Sequence, residues 1–118
     1  MKKKKLDILY EDKYLLIVNK KEGLLTIATE KEKERTLYHY VYDYLKSKNK
    51  NNKVFIVHRL DKETSGIVVF AKDIKTKEYM QTNWEKFKRM YVAVVYGKLE
   101  KDKGIFVYND LFCNGVFV

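Results

Sequence analysis

The sequence predicts an α+β fold, a mixed and mainly antiparallel β-sheet with flanking helices, and three observations predict it. Short β-branched and aromatic runs recur along the chain, at residues 6–10, 14–18, 54–57, 67–71, 90–96 and 105–108. Two stretches change to helical spacing, one behind Thr36 and one behind Asp73. The polar clusters between the runs carry turn chemistry. At 118 residues the chain fits one small domain, and 46% hydrophobic content with ten Tyr and six Phe is ample for a core.

The first two runs, Leu6 to Tyr10 and Tyr14 to Val18, read as strands around the polar corner Glu11-Asp12-Lys13. Residues 19–23 read as a turn in which Gly23 takes positive φ. Residues 29–35 alternate in charge and read as an exposed loop. Thr36 is placed to cap a helix whose apolar stripe is Leu37, Tyr40, Val41, Tyr44 and Leu45. The helix is expected to stop in the Lys- and Asn-rich stretch 47–53. A second helix, over 75–88, is opened by Asp73 and shows Met80, Trp84 and Phe87 on one face. The apolar run Met90 to Tyr96 reads as a strand with Tyr91, Ala93 and Val95 facing one way. A further strand is expected near Ile105 to Tyr108, and Leu111 to Val118 reads as an apolar edge that ends without a polar close.

The net charge is +9 and its excess is spread along both halves. A diffuse positive field favours a polyanionic partner, nucleic acid before an anionic membrane surface. One cysteine, Cys113, excludes an intramolecular disulfide, and no stretch is long and apolar enough to span a bilayer. The Lys2–Lys5 run lacks the apolar region of a signal peptide behind it. Cytoplasm is the expected location.

The densest chemistry lies in His58-Arg59-Leu60-Asp61-Lys62-Glu63-Thr64-Ser65-Gly66, a polar loop held between two apolar runs. Strands that fix the ends of such a loop make it a good carrier of a site, and equally a solvated turn closed by Gly66. Ser65, His58 and Asp61 crowd into one loop, which makes a hydrolase relay hard to build. His39, His58 and Cys113 are scattered and have no metal-ligand spacing. What survives is one ionised aspartate, Asp61, oriented by Arg59 and acting as nucleophile or electrostatic catalyst. Thr64, Ser65 and nearby amides are placed to hold its carboxylate, although the same spacing suits an Asx turn. The chemistry of the residues leaves both readings open.

The run His58-Arg59-Leu60-Asp61-x-x-Thr64-Ser65-Gly66 closely resembles the catalytic motif of the RluA-type pseudouridine synthases. Tyr14-Leu15-Leu16-Ile17-Val18-Asn19-Lys20 with Gly23-Leu24 resembles the family's opening motif, and Arg89 to Gly97 its Lys/Arg-x-Tyr strand. The resemblance covers about Asp7 to Gly97 and implies that residues 1–118 are the N-terminal portion of a single pseudouridine synthase catalytic domain. It implies an isomerase that converts uridine to pseudouridine in ribosomal or transfer RNA without cofactor or metal. Asp61 is then the catalytic aspartate, and Tyr91 stacks on the target uracil and takes part in proton transfer. Arg59 helps to displace the nucleotide from its stack, and His58, Thr64 and Arg89 complete the RNA-binding set. Lys21 and Arg89 stand where the family more often has proline and lysine. The family's later Gly-Arg-x-His-Gln-Ile-Arg type of segment, which supplies a basic partner for the aspartate, does not occur before Val118. Truncation of a longer enzyme is therefore the first expectation. The alternative is a non-catalytic RNA-binding fragment or one half of a split enzyme, associating through the unfinished C-terminal edge.

Overall fold

A computed structural model of the protein describes residues 6–98, 100, 101 and 103, together with the backbone of 104–107 and 114–117. Lys2–Lys5, Tyr108, Leu111 to Cys113 and Val118, all part of the expectations above, lie outside the described residues. The chain forms two units, residues 1–88 and 89–118.

The first unit is an antiparallel sheet with two helices. Its strands are β1 (Ile8–Glu11), β2 (Leu15–Lys20), β3 (Phe55–Ile56) and β4 (Gly66–Ala71), in the order β1-β2-β4-β3. Strands β2 and β4 pair in register from Leu15↔Ala71 to Lys20↔Gly66. Side chains alternate across a strand, so Leu16 and Val18 share a face with their partners Phe70 and Val68. Helix α1 (Leu37–Lys48) lays Leu37, Val41 and Leu45 on that face, and these residues with Leu60 form one buried cluster. Each such aliphatic side chain contributes about 1.5–3 kcal/mol by leaving water.

Helix α1 begins where the sequence places it. The Thr36 hydroxyl accepts the His39 amide at 3.1 Å, and Lys46 and Lys48 lie in the last turn, beside the negative helix end. Two amides of its first turn, from Leu37 and Tyr38, donate to the carbonyls of Leu25 and Thr26 at 2.8 and 2.9 Å. Segment 24–26 therefore serves as a cradle for the helix start, satisfying donors that no helical bond can reach.

The second helix is shorter than its sequence pattern suggests. Asp73 does cap it, accepting the Thr76 amide at 2.7 Å, but α2 (Ile74–Thr82) ends before Asn83, and a separate 3-10 turn follows at Trp84–Lys86. Asn83 Nδ2 donates to the Tyr79 carbonyl at 2.8 Å, which satisfies the last turn locally and lets the chain turn away. Met80, Trp84 and Phe87 consequently do not form one helical stripe. Other boundaries shift by a residue or two, and the 54–57 run contributes only Phe55 and Ile56 to the sheet. Asn19 and Lys20, read as turn residues, extend β2.

In the second unit, Gly104–Val107 (β5) and Asn114–Phe117 (β6) form an antiparallel hairpin, so the apolar edge expected near the end is paired over 114–117. Residues 90–96 do not form a strand. Met90 is 80% exposed, Tyr91 65%, and Val92 and Val94 are fully open to solvent. Alternation predicts a strand from side chains alone, whereas a strand also needs a neighbour for its amides and carbonyls, and no described strand pairs with this run.

Candidate active site

The loop 57–65 leaves the sheet after β3 and re-enters at β4, where Gly66 takes φ +132°. It is held at alternate residues. Leu60 is buried in the core cluster, and its two backbone groups are both bound by one side chain. The hydroxyl of buried Thr26 donates to the Leu60 carbonyl at 2.6 Å and accepts the Leu60 amide at 3.1 Å. Two residues on, the Lys62 carbonyl accepts the Gly23 amide at 2.8 Å and the Lys20 ammonium at 3.1 Å. Gly23 stands at φ +85°, a conformation that bends segment 21–24 back toward the loop and that other residues rarely adopt.

With residues 60 and 62 fixed from below, Asp61 lies between two clamps and is exposed, as is Arg59. The Thr64 amide donates to the Asp61 carbonyl at 3.0 Å and closes a turn over Lys62 and Glu63. This bond reaches the Asp61 backbone, whereas the sequence reading aimed the Thr64 group at the carboxylate. The turn thus shapes the loop, and Asp61 stays exposed within it.

Lys20 is the least expected member of the site. It is the last residue of β2 and follows Leu16 and Val18 on the core face, with no accessible surface. Its ammonium donates to the carbonyls of Leu24, Lys21 and Lys62 at 2.6, 3.0 and 3.1 Å. Burial pushes the ammonium below its ordinary pKa, and the charges of Glu63, Asp61 and Glu22 oppose that shift. A buried cation tied to three backbone carbonyls beneath the loop is therefore built into the first unit. A lysine in phase with two buried aliphatics on one strand face is the signal that would have found it.

His58 accepts the Val69 amide on Nε2 at 3.1 Å, and its ring lies 4.4 Å from that of Trp84. Arg59, His58 and Asp61 therefore sit on one loop, as expected. Arg89 and Tyr91 belong to the second unit, where both are exposed. Among the described residues, no group of three or more His, Cys, Asp or Glu is arranged to hold a metal ion. No described helix is long and apolar enough to cross a membrane.

The first unit is thus an antiparallel sheet that presents an exposed aspartate on a loop clamped between two of its strands. The RNA pseudouridylate synthase family model matches residues 14–111, and the chain belongs to that family, in its RluA-type branch. An uncharacterized RNA pseudouridine synthase of Bacillus subtilis, YhcT, is 40% identical over 101 residues, covering 84% of this chain and 33% of the relative. The ribosomal large subunit pseudouridine synthase D of Nitrosomonas europaea is 37% identical over 99 residues, covering 82% and 29%. The dual-specificity RNA pseudouridine synthase RluA of Haemophilus influenzae is 36% identical over 103 residues, covering 84% and 44%. The chain thus spans less than half the length of these relatives. Human RNA pseudouridylate synthase domain containing 4 superposes with a TM-score of 0.57 at 28% identity, covering 68% of this chain and 30% of that protein. The human domain containing 1 protein, at TM-score 0.52 and 20% identity, shares the fold.

Proposed function

We propose that the chain is the N-terminal part of a single catalytic domain that isomerises uridine to pseudouridine in RNA, with Asp61 as the catalytic carboxylate. The observation that carries this reading is the exposure of Asp61 between two clamped neighbours, Leu60 and Lys62. The reaction breaks the bond between ribose C1′ and uracil N1 and forms one between C1′ and C5. The proton at C5 leaves, and N1 gains one. A fixed carboxylate serves this chemistry by attacking C1′ or by stabilising positive charge that develops there.

Because the glycosidic carbon lies within the stacked strand, the target nucleotide has to be extruded, and Arg59 is placed on the same loop to fill or hold open the gap. Tyr91 is the residue assigned to stack on the uracil and to move the C5 proton. Thr64 and Arg89 complete the RNA-binding set in this reading. The net charge of +9 supports a phosphate-rich partner. The relative named for the ribosomal large subunit supports ribosomal RNA as a substrate, transfer RNA is the other substrate class in this reading, and the cytoplasm is the location it expects.

The test fuses residues 1–118 to the part of the B. subtilis relative that they do not span and supplies RNA tritiated at uridine C5. Tritium release by the fusion, abolished in Asp61→Ala, is the expected result. Undiminished release by D61A, or none from the parent fusion, rejects the assignment. A second reading, one half of a two-chain enzyme, is favoured by the exposed run from Met90 to Tyr96. It expects tritium release when the two parts are mixed as separate chains.

A further inference from the structure

We propose that His58 is a positioning residue for the Asp61 loop, its neutral imidazole standing in for a strand neighbour of Val69. The proposal rests on the reading of Asp61 as the catalytic carboxylate and assigns His58 to the loop's support in place of RNA contact. The ladder between β3 and β4 stops at Ile56↔Phe70. One residue along β4, Val69 is 9% exposed, and its amide needs an acceptor that β3 no longer offers. His58 Nε2 takes that place at 3.1 Å. An amide can only donate, so Nε2 brings its lone pair and the ring proton sits on Nδ1. An imidazolium has no lone pair with which to hold this bond.

The ring is also held from the side. Trp84 lies against it with centroids 4.4 Å apart and planes at 31°, and Phe87 meets Trp84 edge-on at 6.0 Å. Just before His58, Gln81 Nε2 donates to the carbonyls of Val57 and Ile56 at 3.2 and 3.4 Å. Residues 56–58, where the chain peels off the sheet, are thus gripped by β4, by the end of α2 and by the 3-10 turn. Thr26 takes hold next, at Leu60. Asp61 lies only three residues beyond the imidazole, so the exit angle fixed at His58 sets where the carboxylate points before the later clamps act.

The experiment uses the 118-residue chain and two variants. His58→Gln can offer an acceptor to Val69, whereas His58→Phe keeps a ring against Trp84 and offers none. In the parent, ¹⁵N spectra are expected to show His58 with a protonated Nδ1 and an unprotonated Nε2, and a protonated Nε2 overturns the proposal. Amide exchange at Val69, Leu60 and Thr64 is expected to rise about tenfold in H58F and to stay near the parent rate in H58Q. Exchange at Val18 and Val68 is expected not to change. Unchanged exchange at Val69 and Leu60 in H58F, or an equal rise across the whole sheet, refutes a role specific to the loop. Binding of a fluorescein-labelled single-stranded oligouridylate should be the same in parent and H58F, and a large loss in H58F would instead make the imidazole an RNA contact. None of these readouts requires turnover, so they stand apart from the tritium assay.

Discussion

Replacing Lys20 by methionine keeps the apolar stem in its slot and removes the ammonium alone. Three carbonyls lose a donor, those of Leu24, Lys21 and Lys62. The Lys62 and Lys21 oxygens keep their bonds from the Gly23 and Leu24 amides, so the Leu24 oxygen carries most of the loss. A buried acceptor without its partner costs about 1–3 kcal/mol, and relief from burying a cation returns part of that. The expected net destabilisation is about 1–2 kcal/mol. Trp84 is the single tryptophan and sits on His58 beside the loop, so its fluorescence reports unfolding in urea. A slope of about 1–1.5 kcal/mol per molar lowers the midpoint by about 1 M. A midpoint within about 0.5 M of the parent would refute the claim that the ammonium holds these carbonyls together. In the fusion described above, Lys20→Met is also expected to slow tritium release, because the Lys62 carbonyl next to Asp61 loses its bond from the ammonium.

Three further outcomes follow from the same structure. Asp61→Ala in the fusion should lose isomerisation while retaining RNA affinity within about twofold, checked by fluorescence anisotropy, since the side chain is exposed and phosphate contacts supply most of the binding. Thr26→Val preserves shape but removes both bonds to Leu60, and urea titration should record a loss of about 2 kcal/mol. Glu11 gives a pH test. Burial pushes its carboxyl up, but bonds from Lys72 and Tyr44, the Lys72 charge and Lys48 outweigh burial and hold it at about 2, against an ordinary 4.5. A carboxyl lowered on folding stabilises above the unfolded value and loses that contribution as pH falls from 4.5 toward 2. Screening at a carboxylate one-fifth exposed limits the effect to about 1–2 kcal/mol. The stability gap between the parent and Glu11→Gln should therefore shrink across that window in acid titrations, and a gap independent of pH would contradict the ion-pair account.

The two helix starts were readable because a cap and the amide that donates to it lie within three residues of each other. Thr36 binds the His39 amide and Asp73 the Thr76 amide, and no other part of the fold is needed to see either. Positive φ at Gly23 and Gly66 follows equally from local turn chemistry. The run at 90–96 shows the limit of this reasoning. Its alternation satisfies every local rule for a strand, yet pairing is a property of two segments, and no described strand pairs with the run. The end of α2 was misplaced for a related reason: helical spacing continues past Thr82, while the Asn83 side chain binds back to Tyr79 and stops the helix.

The polar run 58–66, its position between strands and the resemblance that implies a role for Asp61 were all determined by the sequence alone. The supports beneath the loop were decided only by the tertiary structure. Thr26 grips Leu60 across 34 positions, Lys20 grips Lys62 across 42, and His58 meets Val69 across 11. Spacing rules describe neighbours along a strand or helix, whereas these bonds exist because β2 and β4 pair antiparallel and bring Lys20 opposite Gly66, at the mouth of the loop. Once that register is set, the buried Lys20 and Thr26 have the loop backbone within hydrogen-bond reach, and half-buried His58 reaches back to the β4 amide of Val69.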